Sequence, residues 1–235
     1  PRVQYSTDFP IESNANNING TLNVLEAARK AGVKRVIYSA SSSMYGGGNI
    51  PFPTTENTPP HFKSNYALQK YAGLEYCRLY SELYGLDTIS LVYYNVYGPG
   101  QRFGGSYSTC ITAFFHAAMN NYPCRIDGDG TQSRDLTYVD NAVQANILAA
   151  THKEKFMGDH FNIACGETHS VNEVFEVVQE LCNKKLEKVY APRRLGDPLK
   201  SLASISKAQK VLGYEPKIKF REGMKLTFEY WNSLK

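Results

Sequence analysis

Two short apolar runs, VKRVIYSA at 33–40 and DTISLVYYN at 87–95, most limit what this chain can become. Each follows a stretch with helical spacing. Across 14–31, Leu22, Leu25, Ala28 and Ala31 fall near one helical face, and Gly32 stands where a C-cap belongs. A second helix is expected over about 65–84, stopping at Gly85. Helix, strand, helix, strand with short joins is the pattern of parallel βαβ units, because parallel neighbours need a crossover long enough to hold a helix. The expected fold class is therefore α/β with a parallel sheet.

Beyond Gly98-Pro-Gly100 the rhythm changes. The spacing predicts a helix near 108–120, a short strand at 124–127 and a turn at Gly128-Asp129-Gly130. A helix over 138–151 and a strand at 161–164 follow. Ser170 and Glu173 are set as a capping box for a helix to about Cys182. Residues 188–191 read as a strand, 204–212 as a short helix, and 221–233 as a last helix carrying Trp231. The opening stretch, PRVQYSTDFPIES, reads as a loop.

Composition excludes several function classes. With 42% hydrophobic and 20% charged residues, the chain has the makings of a packed core and is not a disordered one. It contains no apolar run near the length of a membrane span, and its first residues show no basic-then-apolar signal pattern. A net charge of +4, with Lys and Arg scattered, gives no nucleic-acid surface. Five cysteines, an odd number with no CxxC pair, are expected as buried thiols in the reducing cytoplasm. The five dispersed histidines suggest no metal site.

Tyr66 and Lys70 stand four apart on the second predicted helix, hence on one face. An ammonium beside a phenol favours the phenolate, and a phenol so tuned works as a general base. In a chain with 17 tyrosines such a pair arises by chance about once, so it needs company. Ser41-Ser42-Ser43 supplies it, falling just past the end of a predicted buried strand. Ligands in open α/β sheets bind beyond the carboxyl ends of the strands.

With these residues in view, the chain resembles the extended short-chain dehydrogenase/reductases, the NAD-dependent epimerase/dehydratase family acting on nucleotide sugars. The matching segments stand in family order: NINGTLNVLEAA (17–28), VIYSASSSMYG (36–46), Tyr66-Ala-Leu-Gln-Lys70, YYNVYGP (93–99), GDGTQSRDLTYVDN (128–141), FNIACG (161–166), RRLGD (193–197) and LGYEP (212–216). The likeness is greatest to the UDP-hexose 4-epimerases, above all the UDP-N-acetylglucosamine branch. It implies a doubly wound, Rossmann-like sheet with a smaller α/β C-terminal substrate domain. Residues 1–98 would be a partial dinucleotide-binding domain and 99–235 mainly the substrate domain, with 138–165 returning to the sheet.

The resemblance also assigns roles. Ser41, Tyr66 and Lys70 match the catalytic residues. Asn17, Ser39, Tyr66, Lys70 and Tyr93 match residues that hold NAD. Ser42, Ser43, Asn95, Tyr107, Arg134, Arg194, Asp197 and Ser201 match the substrate side. Two guanidiniums suit a diphosphate, which takes bidentate, charge-assisted bonds. Taken alone, Arg134 could instead pair with its neighbour Asp135, and Arg193-Arg194 could be a solvated run. Ser201 is small where some relatives carry Tyr, which leaves room for an N-acetyl group. The implied reaction is oxidation of the sugar at C4 and return of the hydride to the opposite face. Dehydratase relatives carry Asp-Glu at the positions of Ser42 and Ser43, and the hydroxyls here offer no such acid/base pair for elimination.

The alternatives are a UDP-uronate 4-epimerase, for which no cation to meet the C6 carboxylate stands out, and a non-catalytic nucleotide-sugar-binding relic. The implied partners are a UDP-sugar and a second copy of the chain, pairing through helices 14–31 and 65–84. No nucleic acid or membrane is expected. Three departures stand out. Val92 replaces a usual Arg, Asn65 replaces a frequent Pro, and the family's Gly-rich first βαβ unit is not among these residues. The expectation is of a sheet that is N-terminally incomplete by roughly the first quarter of such an enzyme. Such a chain alone would fold poorly and bind NAD weakly.

Overall fold

The computed structural model describes residues 3–47, 50–101, 109–193 and 198–233. Its first residues are helical, not the loop expected from their sequence: α1 spans Val3–Asp8 and α2 spans Pro10–Asn14, with Pro10 at its first turn. The reason is tertiary. Ser6 and Ser13 are fully buried and bonded to a later helix, a contact that leaves no local periodicity to read. The helix expected over 14–31 is composite. A π-helical turn, Ala15–Asn19, leads into α3, Gly20–Lys30.

The two apolar runs become β1, Arg35–Ser41, and β2, Asp87–Tyr93, joined through α4, Asn65–Tyr84. They pair in parallel from Arg35 opposite Asp87 to Ser41 opposite Tyr93. After the short β3, Val96–Tyr97, come α5, Cys110–Asn120, and β4, Cys124–Asp127. Two-residue strands β5, Ser133–Arg134, and β6, Thr137–Tyr138, precede α6, Val139–Thr151. Then β7, His160–Ile163, rejoins the main sheet parallel to β2, giving the order β1-β2-β7. The central strand β2 is buried along nearly its whole length, its polar Asp87, Thr88 and Ser90 included.

Helices cover both faces. Tyr38, Ala40 and Val92 meet Leu74 and Cys77 of α4 and Leu25 of α3 on one side. Ile89, Leu91, Phe161 and Ile163 meet Ala145 and Ala149 of α6 on the other. At the start of the strands Arg35 pairs with Asp87 at 2.6 Å and donates to the carbonyls of Ala149 and His152, which closes the C-terminal end of α6. The sheet is the doubly wound parallel arrangement expected.

The rest of the chain builds a second core. The short β8, His169–Ser170, pairs antiparallel with β5 and leads into α7, Val171–Cys182, where Ser170 Oγ accepts from Glu173 N. Next, β9, Lys188–Ala191, pairs in parallel with β4. The short α8, Ser206–Leu212, lies against the main sheet through Ala208 and Leu212, and α9, Phe220–Asn232, closes the second core. Phe114, Phe115, Phe175, Met224 and Trp231 fill it, with Trp231 edge-on to Phe115. No described helix is long and apolar enough to cross a membrane.

Candidate active site

The carboxyl end of β1 turns sharply at Ser41. Its Oγ accepts from Ser43 N at 3.3 Å and from Ser43 Oγ at 3.0 Å, capping a 3-10 turn over Ser42–Tyr45. Gly46 ends that turn with φ +69°, and a Cβ there would overlap the His61 carbonyl. Gly47, next along, lies so close to Pro198 that any side chain would collide with it.

Helix α4 presents the other half of the site. Ser64 Oγ caps it by accepting from Ala67 N, and Ser6 Oγ of α1 accepts from Tyr66 N at 2.9 Å. Tyr66 therefore sits in a first turn whose free amides are satisfied from two directions. Its phenol is near enough to the Ser41 side chain for that hydroxyl to act against the rise in its pKa. Lys70 follows one turn on, half-buried, with its Nζ 4.5 Å from the centre of the Tyr38 ring. Ser41, Tyr66 and Lys70 are thus brought together at the carboxyl edge of the parallel sheet.

The electrostatics differ from the expectation in one respect. Burial pushes the Tyr66 phenol above its usual value, and the nearby Ser41 side chain opposes this without overcoming it. Burial also lowers Lys70, to about 8. The phenol is the protonated partner here and the ammonium the adjustable one.

The other residues assigned from the sequence divide into groups. Asn17, 6% exposed, spends its amide within the protein, donating to Gln69 Oε1 at 2.8 Å and Ser13 Oγ at 3.3 Å. It braces α4 one residue before Lys70. Tyr93 lies on the opposite face of the sheet from α4, where Asn146 of α6 donates to its hydroxyl at 2.7 Å. Strand alternation instead turns Tyr94 to the α4 side, 2% exposed beside Tyr45. Ser39 is exposed, and Ser42 and Ser43 are half-buried on the turn after β1.

Asn95 and Ser201 come together although 106 residues apart, with Asn95 Nδ2 donating to Ser201 Oγ at 3.2 Å and to the Asp135 carbonyl at 2.9 Å. Arg134 adjoins them, its Nη1 donating to the Ser133 carbonyl. Tyr107, Arg194 and Asp197 lie outside the described residues.

Asp135 has a role the sequence reading missed. It is fully buried, and its carboxylate accepts from the backbone N–H groups of Cys165, Gly166 and Ala203. Burial nevertheless raises it to about 6. Its backbone N–H also donates to the Ser201 carbonyl at 2.9 Å, while Ser201 N donates to the Ser133 carbonyl. An Asp directly before the apolar-rich run LTYV was the available signal, since a charge placed among core residues must be bonded. No group of three or more described His, Cys, Asp or Glu residues could hold a metal ion.

Comparison with known proteins gives the site a context. Residues 2–164 match the family described as NAD dependent epimerase/dehydratase. A putative UDP-glucose 4-epimerase of Methanocaldococcus jannaschii is 35% identical, over 95% of this chain and 71% of its own length. The crystal structure of UDP-glucose 4-epimerase with UDP-glucose from Thermotoga maritima superposes with a TM-score of 0.94 at 37% identity, over 99% of this chain and 74% of that one. A UDP-N-acetylglucosamine 4-epimerase from Methanobrevibacter ruminantium M1, in complex with UDP-N-acetylmuramic acid, also gives 0.94, at 33% identity and the same two shares.

Proposed function

Because this chain belongs to the NAD-dependent epimerase/dehydratase family, we propose that it carries the reaction centre of a UDP-hexose 4-epimerase. The substrates are UDP-N-acetylglucosamine and UDP-N-acetylgalactosamine, with UDP-glucose and UDP-galactose also turned over. The observation that carries this reading is the placing of Tyr66 beside Ser41, with Lys70 one turn along α4, at the sheet's carboxyl edge.

The donor set suits NAD. Lys70 has no acidic partner among the described residues, and its ammonium, with Tyr66 Oη nearby on the same helix face, matches a ribose diol. The exposed Ser39 hydroxyl at the same strand end would face the cofactor. When bound, NAD supplies the hydride acceptor and donor. The chain's own residues handle the proton. Tyr66 acts as a phenolate stabilised by the Lys70 charge: it takes the proton from the sugar 4-OH and becomes the phenol, while Ser41 holds the same oxygen by its hydroxyl. Reduction of the 4-keto sugar from its other face reverses the transfer, with Tyr66 returning the proton. Asn95 and Arg134 are proposed to hold the diphosphate end, so that the sugar turns while the nucleotide stays fixed.

Ser201 is proposed to set the sugar range. Its side chain is small and already engaged by Asn95 and by Asp135 N, which keeps it out of the space beside the sugar C2. The exposed apolar residues Val24 on α3 and Leu68 and Leu83 on α4 support pairing with a second copy. Sedimentation of Leu68→Glu should then give a lighter species than the unaltered protein.

The decisive experiment is an epimerase assay of the full-length protein with NAD and both classes of UDP-hexose. Turnover is expected on both, with Tyr66→Phe losing it. Full turnover by Tyr66→Phe would refute the mechanism.

A further inference from the structure

The face of α4 that looks onto β1 reads Tyr66, Lys70, Gly73, Cys77, each about one turn from the last. Tyr38 of β1 lies across it. Its ring is 4.5 Å from Lys70 Nζ, and its hydroxyl donates to the Lys70 carbonyl at 3.3 Å. It reaches that position only because residue 73 has no side chain, for a Cβ on Gly73 would overlap Tyr38 Oη and Cζ. We propose that Tyr38 is a positioning residue for the reaction centre: its ring face seats the Lys70 ammonium, and Gly73 supplies the slot that admits it.

The surroundings of Lys70 make this contact matter. Cys77, on the same helix, is buried and pushed up to about 12, so it is a neutral thiol. Tyr66 is a protonated phenol. Acidic side chains on the elements packed against α4 are directed elsewhere. Asp8 accepts from Gln4, Glu12 is exposed, Glu26 bonds Arg29, Lys30 and Tyr80, and Asp87 pairs with Arg35 at the far end of its strand. Among the described residues, then, the charge of this half-buried ammonium is opposed by desolvation and met by one π face. Tyr38 itself is held far above its usual value by burial and stays a neutral donor. The hydroxyl bond fixes the ring against the helix turn that carries Lys70, so the charge and its seat move together.

The catalytic meaning of this inference rests on the epimerase reading above; the contact itself does not. The test uses the full-length protein labelled with 13C at lysine Cε, the Lys70 signal being assigned by its loss in Lys70→Arg. Its titration midpoint is read by NMR in the unaltered protein, Tyr38→Phe, Tyr38→Leu and Gly73→Ala. Tyr38→Leu should lower the midpoint by about one pH unit. Tyr38→Phe, which keeps the ring, should hold it, and Gly73→Ala, which displaces the ring, should follow Leu. The high-pH limb of kcat should move with the midpoint, whereas a merely structural role would reduce kcat at every pH without moving the limb. An unchanged or raised midpoint in Tyr38→Leu and Gly73→Ala, or an equal fall in Tyr38→Phe, overturns the proposal. Should Tyr38→Leu not fold, Tyr38→Phe against Gly73→Ala decides. If no version turns over UDP-hexoses, the epimerase reading fails while the midpoints still judge Tyr38.

Discussion

The corner that carries Ser41, Tyr66 and Lys70 and the cradle that carries Asn95, Asp135 and Ser201 are built on opposite principles. In the corner, regular elements satisfy the backbone. β1 is in its ladder and the first turn of α4 is capped by Ser64 and Ser6, so the side chains are left to do chemistry. In the cradle the backbone is irregular and a side chain satisfies it: one buried carboxylate takes three N–H groups from two separate segments. Altering a side chain in the corner should therefore change reactivity and spare the fold. Altering Asp135 should change the geometry itself.

The largest expected effect is on the corner. Tyr66→Phe removes the proposed proton acceptor and should lower kcat about a thousand-fold, with an unfolding free energy that stays close to that of the unaltered protein. A matching loss of stability would erase the contrast between the two regions. Asp135→Asn is the cradle's counterpart. The folded carboxyl titrates near 6, above its ordinary value of 3.8. The folded state thus binds this proton more tightly than the unfolded one. The stabilisation it brings is complete below about pH 4 and is lost as pH rises through about 6. Asparagine cannot titrate. The stability difference between unaltered protein and variant, followed by urea unfolding from pH 4 to 7, should therefore shrink by on the order of 3 kcal/mol. A difference that does not change with pH would show that Asp135 is not the titrating group.

Ser201→Tyr comes next. It should lower kcat/KM about ten-fold more for the N-acetylated sugar than for UDP-glucose, on top of a common loss from freeing Asn95 Nδ2, as a clash in a fitted pocket is worth about 1–3 kcal/mol. Equal losses on both sugars would remove Ser201 as a specificity residue. The smallest effect is expected of Ser6→Ala, which leaves the Tyr66 N–H without its acceptor and should cost about 1 kcal/mol in thermal or urea unfolding.

The same contrast explains what could be read in advance. The corner was legible because its residues lie at fixed spacings on consecutive elements. Tyr66 and Lys70 share a helix face, and Ser41 falls one step beyond a buried strand. The parallel sheet was legible from the two apolar runs. The cradle depends on segments 40 and 106 residues apart meeting in space, and no local pattern carries that. Asp135 was accordingly taken as a possible partner of Arg134, when its carboxylate serves the backbone instead. α1 and α2 escaped notice because buried serines, not apolar residues, hold them down.

The contact between Gly47 and Pro198 bears on how such a protein can change over generations. Gly47 follows the turn that begins at Ser41, and Pro198 opens the stretch that holds Ser201. They touch without a hydrogen bond, through a fit that a single methyl group would spoil. If Ser201 sets the sugar range as proposed, drift around it is held in check at Gly47, and any substitution at 47 would be felt in the stretch that carries Ser201. On that proposal, a change of substrate range along this route would need paired changes on both sides of the contact, which makes each step rarer.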